Sequence, residues 1–178
     1  MVTRFRLAMA AAFALQLGVA APAAAQDAHA RPVVQLDTGG LALVDTESGE
    51  RSRIGFGTGM DEAVEALAGA LGDPEDSGLN EDCDAGALHQ VDFDGGLRLF
   101  FRAGEFAGWR SEGGWSGANG IRTGISFADL TRLAGEVEGE ETSLGAEFSA
   151  GGYHGLLTEG GEDGTISTIW AGTICSMR

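Results

Sequence analysis

The stretch from 91 to 101 constrains the fold of this chain more than any other. Val91 and Phe93 alternate with polar neighbours, Asp94-Gly95-Gly96 turns the chain, and Leu97, Leu99 and Phe101 resume the alternation. A period of two on either side of a glycine pair is the signature of antiparallel strands that each set one face on a core. Ala103-Gly104 supplies a further turn, and residues 106–110 a third strand. Upstream, residues 41–45 and 51–56 predict a hairpin around Thr46-Glu47-Ser48-Gly49. Downstream, residues 153–158 and 165–171 predict strands around the Gly160-Gly161-Glu162-Asp163-Gly164 turn.

Two short stretches change period. Val64, Leu67, Ala68 and Leu71 fall on one face of a helix, as do Leu130, Leu133, Ala134 and Val137. Gly72-Asp73-Pro74 stops the first helix. Asp61 and Ser126 are good N-cap residues at the two starts, and Asp129 stands three residues after Ser126 at close to capping-box spacing. Helices and meanders that alternate along the chain predict an antiparallel α+β fold rather than βαβ units.

The chain also repeats itself. Ala85-Gly86-Ala87-Leu88-His89-Gln90-Val91 returns 65 residues later as Ala150-Gly151-Gly152-Tyr153-His154-Gly155-Leu156. At the same offset Asp94-Gly95-Gly96 becomes Glu159-Gly160-Gly161, and Thr58-Gly59-Met60 becomes Thr123-Gly124-Ile125. The expectation is two diverged helix-plus-meander repeats that share a core, residues 55–119 and 120–178, preceded by an N-terminal segment and β-hairpin at 26–54. On that register His89 and His154 occupy equivalent strands.

Residues 1–25 read as a secretory signal peptide. Arg4 and Arg6 precede a mostly apolar run over 7–21, and Ala23-Ala24-Ala25 is a small-residue cleavage site. The run is too short to span a bilayer, and no Cys follows it to carry a lipid, so no membrane anchor is expected after cleavage. Removal of the leader takes the net charge from −16 to −18, because Arg4 and Arg6 leave with it. Such an acidic balance argues against nucleic acid as partner, which demands a basic face. The expected location is periplasmic or secreted. There, Cys83 and Cys175 meet an oxidising environment and are expected to form a structural bridge. It would close a loop of about ninety residues, a contribution of about 4–5 kcal/mol in the chain-entropy account.

Gly59-Met60-Asp61 opening a short helix that ends at Leu71-Gly72-Asp73-Pro74, followed by a loop and a strand meander, resembles the β-lactamase inhibitor protein-like repeat. The same repeat is seen in small envelope lipoproteins that assist outer-membrane protein assembly. Gly124-Ile125-Ser126-Phe127 is similar to the same opening. The resemblance implies a helical hairpin packed on an antiparallel sheet, often in tandem, in proteins that act by binding other proteins. The second copy departs from it in lacking Gly-x-Pro after its helix and, on the sequence, one strand. No functional residue carries over.

Catalytic patterns are missing from the sequence. Gly114-Trp115-Ser116-Gly117 is one residue short of a nucleophile elbow, and there is no Lys for a P-loop and no H-E-x-x-H. Asn80, Asp82 and Asp84 begin like a Ca²⁺ loop, but Ala85 and Val91 stand where an EF-hand needs Gly and Glu. That leaves a looser Ca²⁺ site or a solvated acidic loop, the second favoured. His29, His89 and His154 make a weak zinc set, and no metal or other cofactor is expected. Two features suit binding. Trp115, in the glycine-rich junction 113–120, is either a partner-facing anchor or a ring folded back over the core. Arg98, Arg102 and Arg110 either line an exposed sheet face or balance nearby acids. Trp109 and Trp170 read as core or sheet-face packing. The functional expectation is a non-catalytic periplasmic interaction module whose partner is another envelope protein. The alternatives are a small-ligand or carbohydrate binder using the groove between copies, and a secreted hydrolase using carboxylates and a His.

Overall fold

A computed structural model describes residues 31–176. The signal-peptide reading of residues 1–25, the first residues of the 26–54 segment and His29 fall outside them. Three strands, β1 (Val33–Asp37), β2 (Gly40–Val44) and β3 (Arg51–Gly55), come first and form a small antiparallel sheet. The β2–β3 hairpin is where the sequence placed it. Then follow α1 (Met60–Leu71), β4 (Asp76–Asn80), β5 (Leu88–Phe93), β6 (Leu97–Arg102) and β7 (Glu105–Ser111). After a crossing segment come α2 (Phe127–Ala134), β8 (Glu138–Thr142), β9 (Gly145–Ala150), β10 (Tyr153–Leu157) and β11 (Ile166–Gly172). The fold is α+β, with one helix rather than a helical hairpin before each set of four strands.

The eight later strands form one antiparallel sheet in the order β4-β5-β6-β7-β11-β10-β9-β8. The last strand of each set therefore lies at the middle, where β7 pairs with β11 from Gly108↔Gly172 to Ser111↔Ile169. Both turn glycines of the β5–β6 hairpin, Gly95 and Gly96, have φ near +75°, a conformation open to Gly at no steric cost.

One face of this sheet is the core. Val91, Phe93, Leu97, Leu99, Phe101, Trp109, Phe148, Tyr153 and Ile169 form a single buried cluster with Ala63, Leu67 and Ala70 of α1 and Leu130 of α2. The buried stripe of α1 is centred on Ala63/Leu67/Ala70, with Val64 and Leu71 half-buried at its border. In α2 the expected face is only partly right: Leu133 is exposed, and the helix ends before Val137. The small N-terminal sheet is not a separate preface. Val34, Leu36, Leu41 and Ile54 belong to the same core, Trp109 Nε1 donates to the Asp37 carbonyl at 2.9 Å, and the Tyr153 hydroxyl donates to the Leu36 carbonyl at 3.3 Å.

Each helix start is tied to the last strand of its own set by the same three backbone bonds. In the first set Gly57 N–H donates to Phe106, Phe106 N–H to Thr58 and Met60 N–H to Gly104. In the second, Gly124 donates to Ile166, Ile166 to Ile125 and Phe127 to Gly164. These correspondences run at offsets of 67 and 60 residues, not 65. The register of 65 fails on the strands as well: His89 lies on the second strand after α1, His154 on the third after α2. They also face opposite sides of the sheet, since His89 pairs with Phe101 of the core face and His154 with Trp170 of the other. Both segments are strands entered through a glycine-rich turn, and that shared composition produced the match.

Candidate functional site

Among the described residues, the second face of the eight-stranded sheet carries no helix. One cross-strand row runs through all eight strands: Asp76, Asp92, Arg98, Arg110, Trp170, His154, Ser149 and Glu138. Side chains opposite one another in a ladder interact directly, and like charges there repel. Arg98 and Arg110 are such a pair. The repulsion is offset because Arg98 grips both carboxylate oxygens of Asp92, and Arg110 reaches Glu112 at 3.1 Å. The hydrogen bonds that Arg98 donates to the Asp92 carboxylate raise its pKa above the ordinary value, against a smaller opposing effect of partial burial. At the middle of the row the Trp170 ring stacks on His154, with centroids 6.3 Å apart and planes 21° from parallel. His154 is held in turn by the Ser149 hydroxyl at 2.8 Å from Nδ1.

The chain after β11 crosses this face. Gly172 turns it with φ +74°, and Thr173 N–H donates to the Ala107 carbonyl at 2.8 Å. A Cβ on Gly108 would overlap the Thr173 carbonyl, so only Gly admits the crossing. Ile174 and Cys175 then pack on Leu88 and Phe100, and the Cys83–Cys175 disulfide, with Cα atoms 5.0 Å apart, pins the strap to the β4–β5 loop. The bridge is the one the sequence predicts. Ser176 adds two hydrogen bonds to Asp84, at 2.9 and 3.3 Å.

Strap and sheet together make a trough. Its central cavity, about 330 Å³, is floored by Trp170, Leu156 and Thr168 and walled by Leu144, Ile174 and Arg110. A depression of about 460 Å³ continues it over β4, lined by Asp76, Asp82, Asp92 and Arg98 among others, and one of about 290 Å³ lies at the opposite edge beside Glu138, Glu140 and Glu147.

The structure thus brings Arg98 and Arg110 together on this face. Arg102 is at its strap end, donating to the Ala85 carbonyl at 2.8 Å. Trp115 is elsewhere: its Nε1 donates to the Gly95 carbonyl at 2.8 Å, and its half-buried ring packs against the β5–β6 turn and the core. Trp170 takes the place at the joint of the two strand sets that the sequence offered to Trp115. Nothing in the local pattern singled it out, because Ile166, Thr168, Ile169, Trp170 and Ala171 are apolar or ambivalent on both faces.

His89 bonds Ser77 at 2.8 Å on the far side of the sheet from His154, so the two imidazoles share no site. Among the described residues no group of three or more His, Cys, Asp or Glu is placed to hold a metal ion. In the 80–84 loop, Asn80 Oδ1 accepts from Asp82 N–H at 3.0 Å and Asp84 Oδ1 from Ala85 N–H at 2.9 Å. No helix of the described residues is long and apolar enough to cross a membrane. No protein-family model, curated protein or solved structure matches the chain.

Proposed function

We propose that this chain is a non-catalytic, exported interaction module that binds another envelope protein through the open face of its eight-stranded sheet. The observation that carries the reading is the trough at the β7–β11 joint. Its floor is apolar and aromatic, its walls are fixed by a disulfide-tied strap, and among the described residues no helix or strand covers it. The opposite face is filled by two helices and the small N-terminal sheet. A bridge of this kind belongs to an oxidising compartment, which agrees with a leader removed after Ala25 and a periplasmic or secreted location.

The same reading makes the two sets of one helix and four strands diverged copies, joined tail to tail at β7–β11. The mirrored strand order and the recurring three-bond tie at the helix starts support this. Superposing α1 through β7 on α2 through β11, with gaps placed in the connections, tests it: strands matched in the order β4/β8, β5/β9, β6/β10 and β7/β11 are expected. The envelope protein partner is tested by affinity capture from envelope extracts with the exported chain and with Leu156→Glu. One stoichiometric partner lost in the variant supports the docking face; a partner held equally by both, or none at all, overturns it.

A second reading rests on the central cavity alone, whose volume of about 330 Å³ is at the lower end for small-molecule sites. A carbohydrate or other small ligand stacked on Trp170 would change the tryptophan emission in a titration with a sugar panel, and a flat response from every member rules it out.

A further inference from the structure

The docking face has an uneven charge, and the unevenness specifies the partner. At its centre the cations are cancelled from within: Arg98 by Asp92 and Arg110 by Glu112. At its two ends the acids are not. Asp76, Glu81 and Asp82 are exposed at the β4 end, Glu138 and Glu140 at the β8 end, and among the described residues none of the five forms a salt bridge, Asp76 acting on Arg98 only at longer range. With strands spaced by about 4.8 Å, the face is about 34 Å across its seven gaps, and Trp170 stands about 19 Å from β4 and about 14 Å from β8.

Resting on the docking reading, we propose that the partner is a cationic protein segment: an apolar centre seated over Trp170 and Leu156, with Lys or Arg groups about 14–19 Å to either side that reach the two acidic ends. An acidic segment would meet repulsion at both ends and already-paired arginines in the middle. A chain of net charge −16 steers cationic partners from a distance in the same sense. Acids on β4 and β8 also hinder the addition of further strands to these edges; that role predicts no dependence of binding on them.

The test uses the exported chain without its leader and two synthetic helical peptides of about 24 residues, long enough at 1.5 Å per residue to span the face. Both carry the same Leu-rich central stripe; one has Lys at both ends, the other Glu. Affinities are measured by anisotropy at low and physiological salt. The Lys peptide is expected to bind at least tenfold tighter than the Glu peptide, and to weaken as salt rises. Asp76→Asn/Glu138→Gln/Glu140→Gln is expected to lose at least fivefold, while Glu47→Gln/Glu50→Gln/Glu62→Gln, equal in charge but off the face, loses less than twofold. Equal binding of the two peptides, or equal losses in the two triple variants, overturns the proposal. Leu156→Glu separates the premises: if it abolishes binding of both peptides while they bind alike, the docking face stands and the cationic partner falls. If it leaves the Lys peptide untouched, the docking face falls and the proposal with it. Circular dichroism of each variant confirms that the fold is kept.

Discussion

The two faces of the eight-stranded sheet are made by the same strands and follow opposite rules. On the helix side nearly every inward position is a large apolar residue, and the polar groups that enter are satisfied: Trp109 Nε1 and the Tyr153 hydroxyl each find a backbone carbonyl of the N-terminal sheet, and the buried Ser111 hydroxyl donates to the Gly113 carbonyl. On the open side the row from Asp76 to Glu138 is charged or polar at every place but one. Two of the apolar residues there, Leu88 and Phe100, are buried under a four-residue strap tied over them. One face holds the domain together. The other holds a shape together, at one disulfide, and leaves the remainder without a covering helix among the described residues.

The sharpest way to break this comparison is to make the same substitution on each face. Trp109 is 0% exposed and Trp170 8%, so burial alone would make them equal. Trp109→Ala empties the middle of the core and strands the Asp37 carbonyl, and about 3–5 kcal/mol of stability should be lost. Trp170→Ala removes a ring whose neighbours are side chains able to move into solvent, and about 2 kcal/mol or less is expected. Urea unfolding of the two variants measures the difference; equal losses would mean that the open face is as much a core as the covered one.

Next in size is the bridge. Replacing both Cys83 and Cys175 by Ser should cost about 2–5 kcal/mol, mostly by freeing the unfolded chain. The loss should be local in its native-state effect: amides of residues 173–176 and of the 83–87 loop gain hydrogen exchange, while those of α1 and β9 keep theirs. Thiol titration of the denatured, unreduced protein should find no free thiol.

How much of this was legible in the sequence follows the same division. Strands with one apolar face, β5, β6 and β7, were readable by alternation, and the bridge by counting cysteines. The two outer strands were not. Asp76–Asn80 and Glu138–Thr142 look like acidic loops, because an edge strand over a solvated border needs no alternation and gains from charge. β9, Gly145–Ala150, is built of small residues around Phe148, and β1 lies before the hairpin that the turn residues announced. With β8 and β9 restored, the second set lacks no strand. The offset of 65 could not carry the arrangement of the two strand sets, since the connections differ in length and a single offset cannot follow all of the elements. The trough could not be read at all, because it depends on the strap crossing over Gly108, a long-range event that leaves only a Gly in the sequence.

The smallest effects concern the helix starts, where the two halves solve one problem differently. α1 begins after Gly59 with no side-chain cap and runs for 12 residues; α2 has 8 residues and begins after Ser126, whose hydroxyl accepts from Asp129 N–H at 3.1 Å. The longer helix buries three residues and tolerates the missing cap, whereas the shorter one buries only Leu130 and depends on it. Ser126→Ala should therefore cost about 1 kcal/mol. Gly59→Ala should change stability by only a few tenths, because Gly59 has φ −59° and no atom lies where a Cβ would go. The cap also sets a pH dependence. The Ser126 hydrogen bond, and then Arg132 at 2.6 Å, favour the ionised Asp129 carboxylate and lower its pKa. A depressed carboxylate adds stability above the unfolded aspartate pKa near 4, and that stability disappears as the pH falls through the folded value. A carbon-13 titration of the Asp129 carboxyl should place its midpoint below that of a free aspartate, and Ser126→Ala should move it upward. A midpoint unmoved by the substitution would mean that the arginine alone holds the charge, and that Ser126 caps only the backbone.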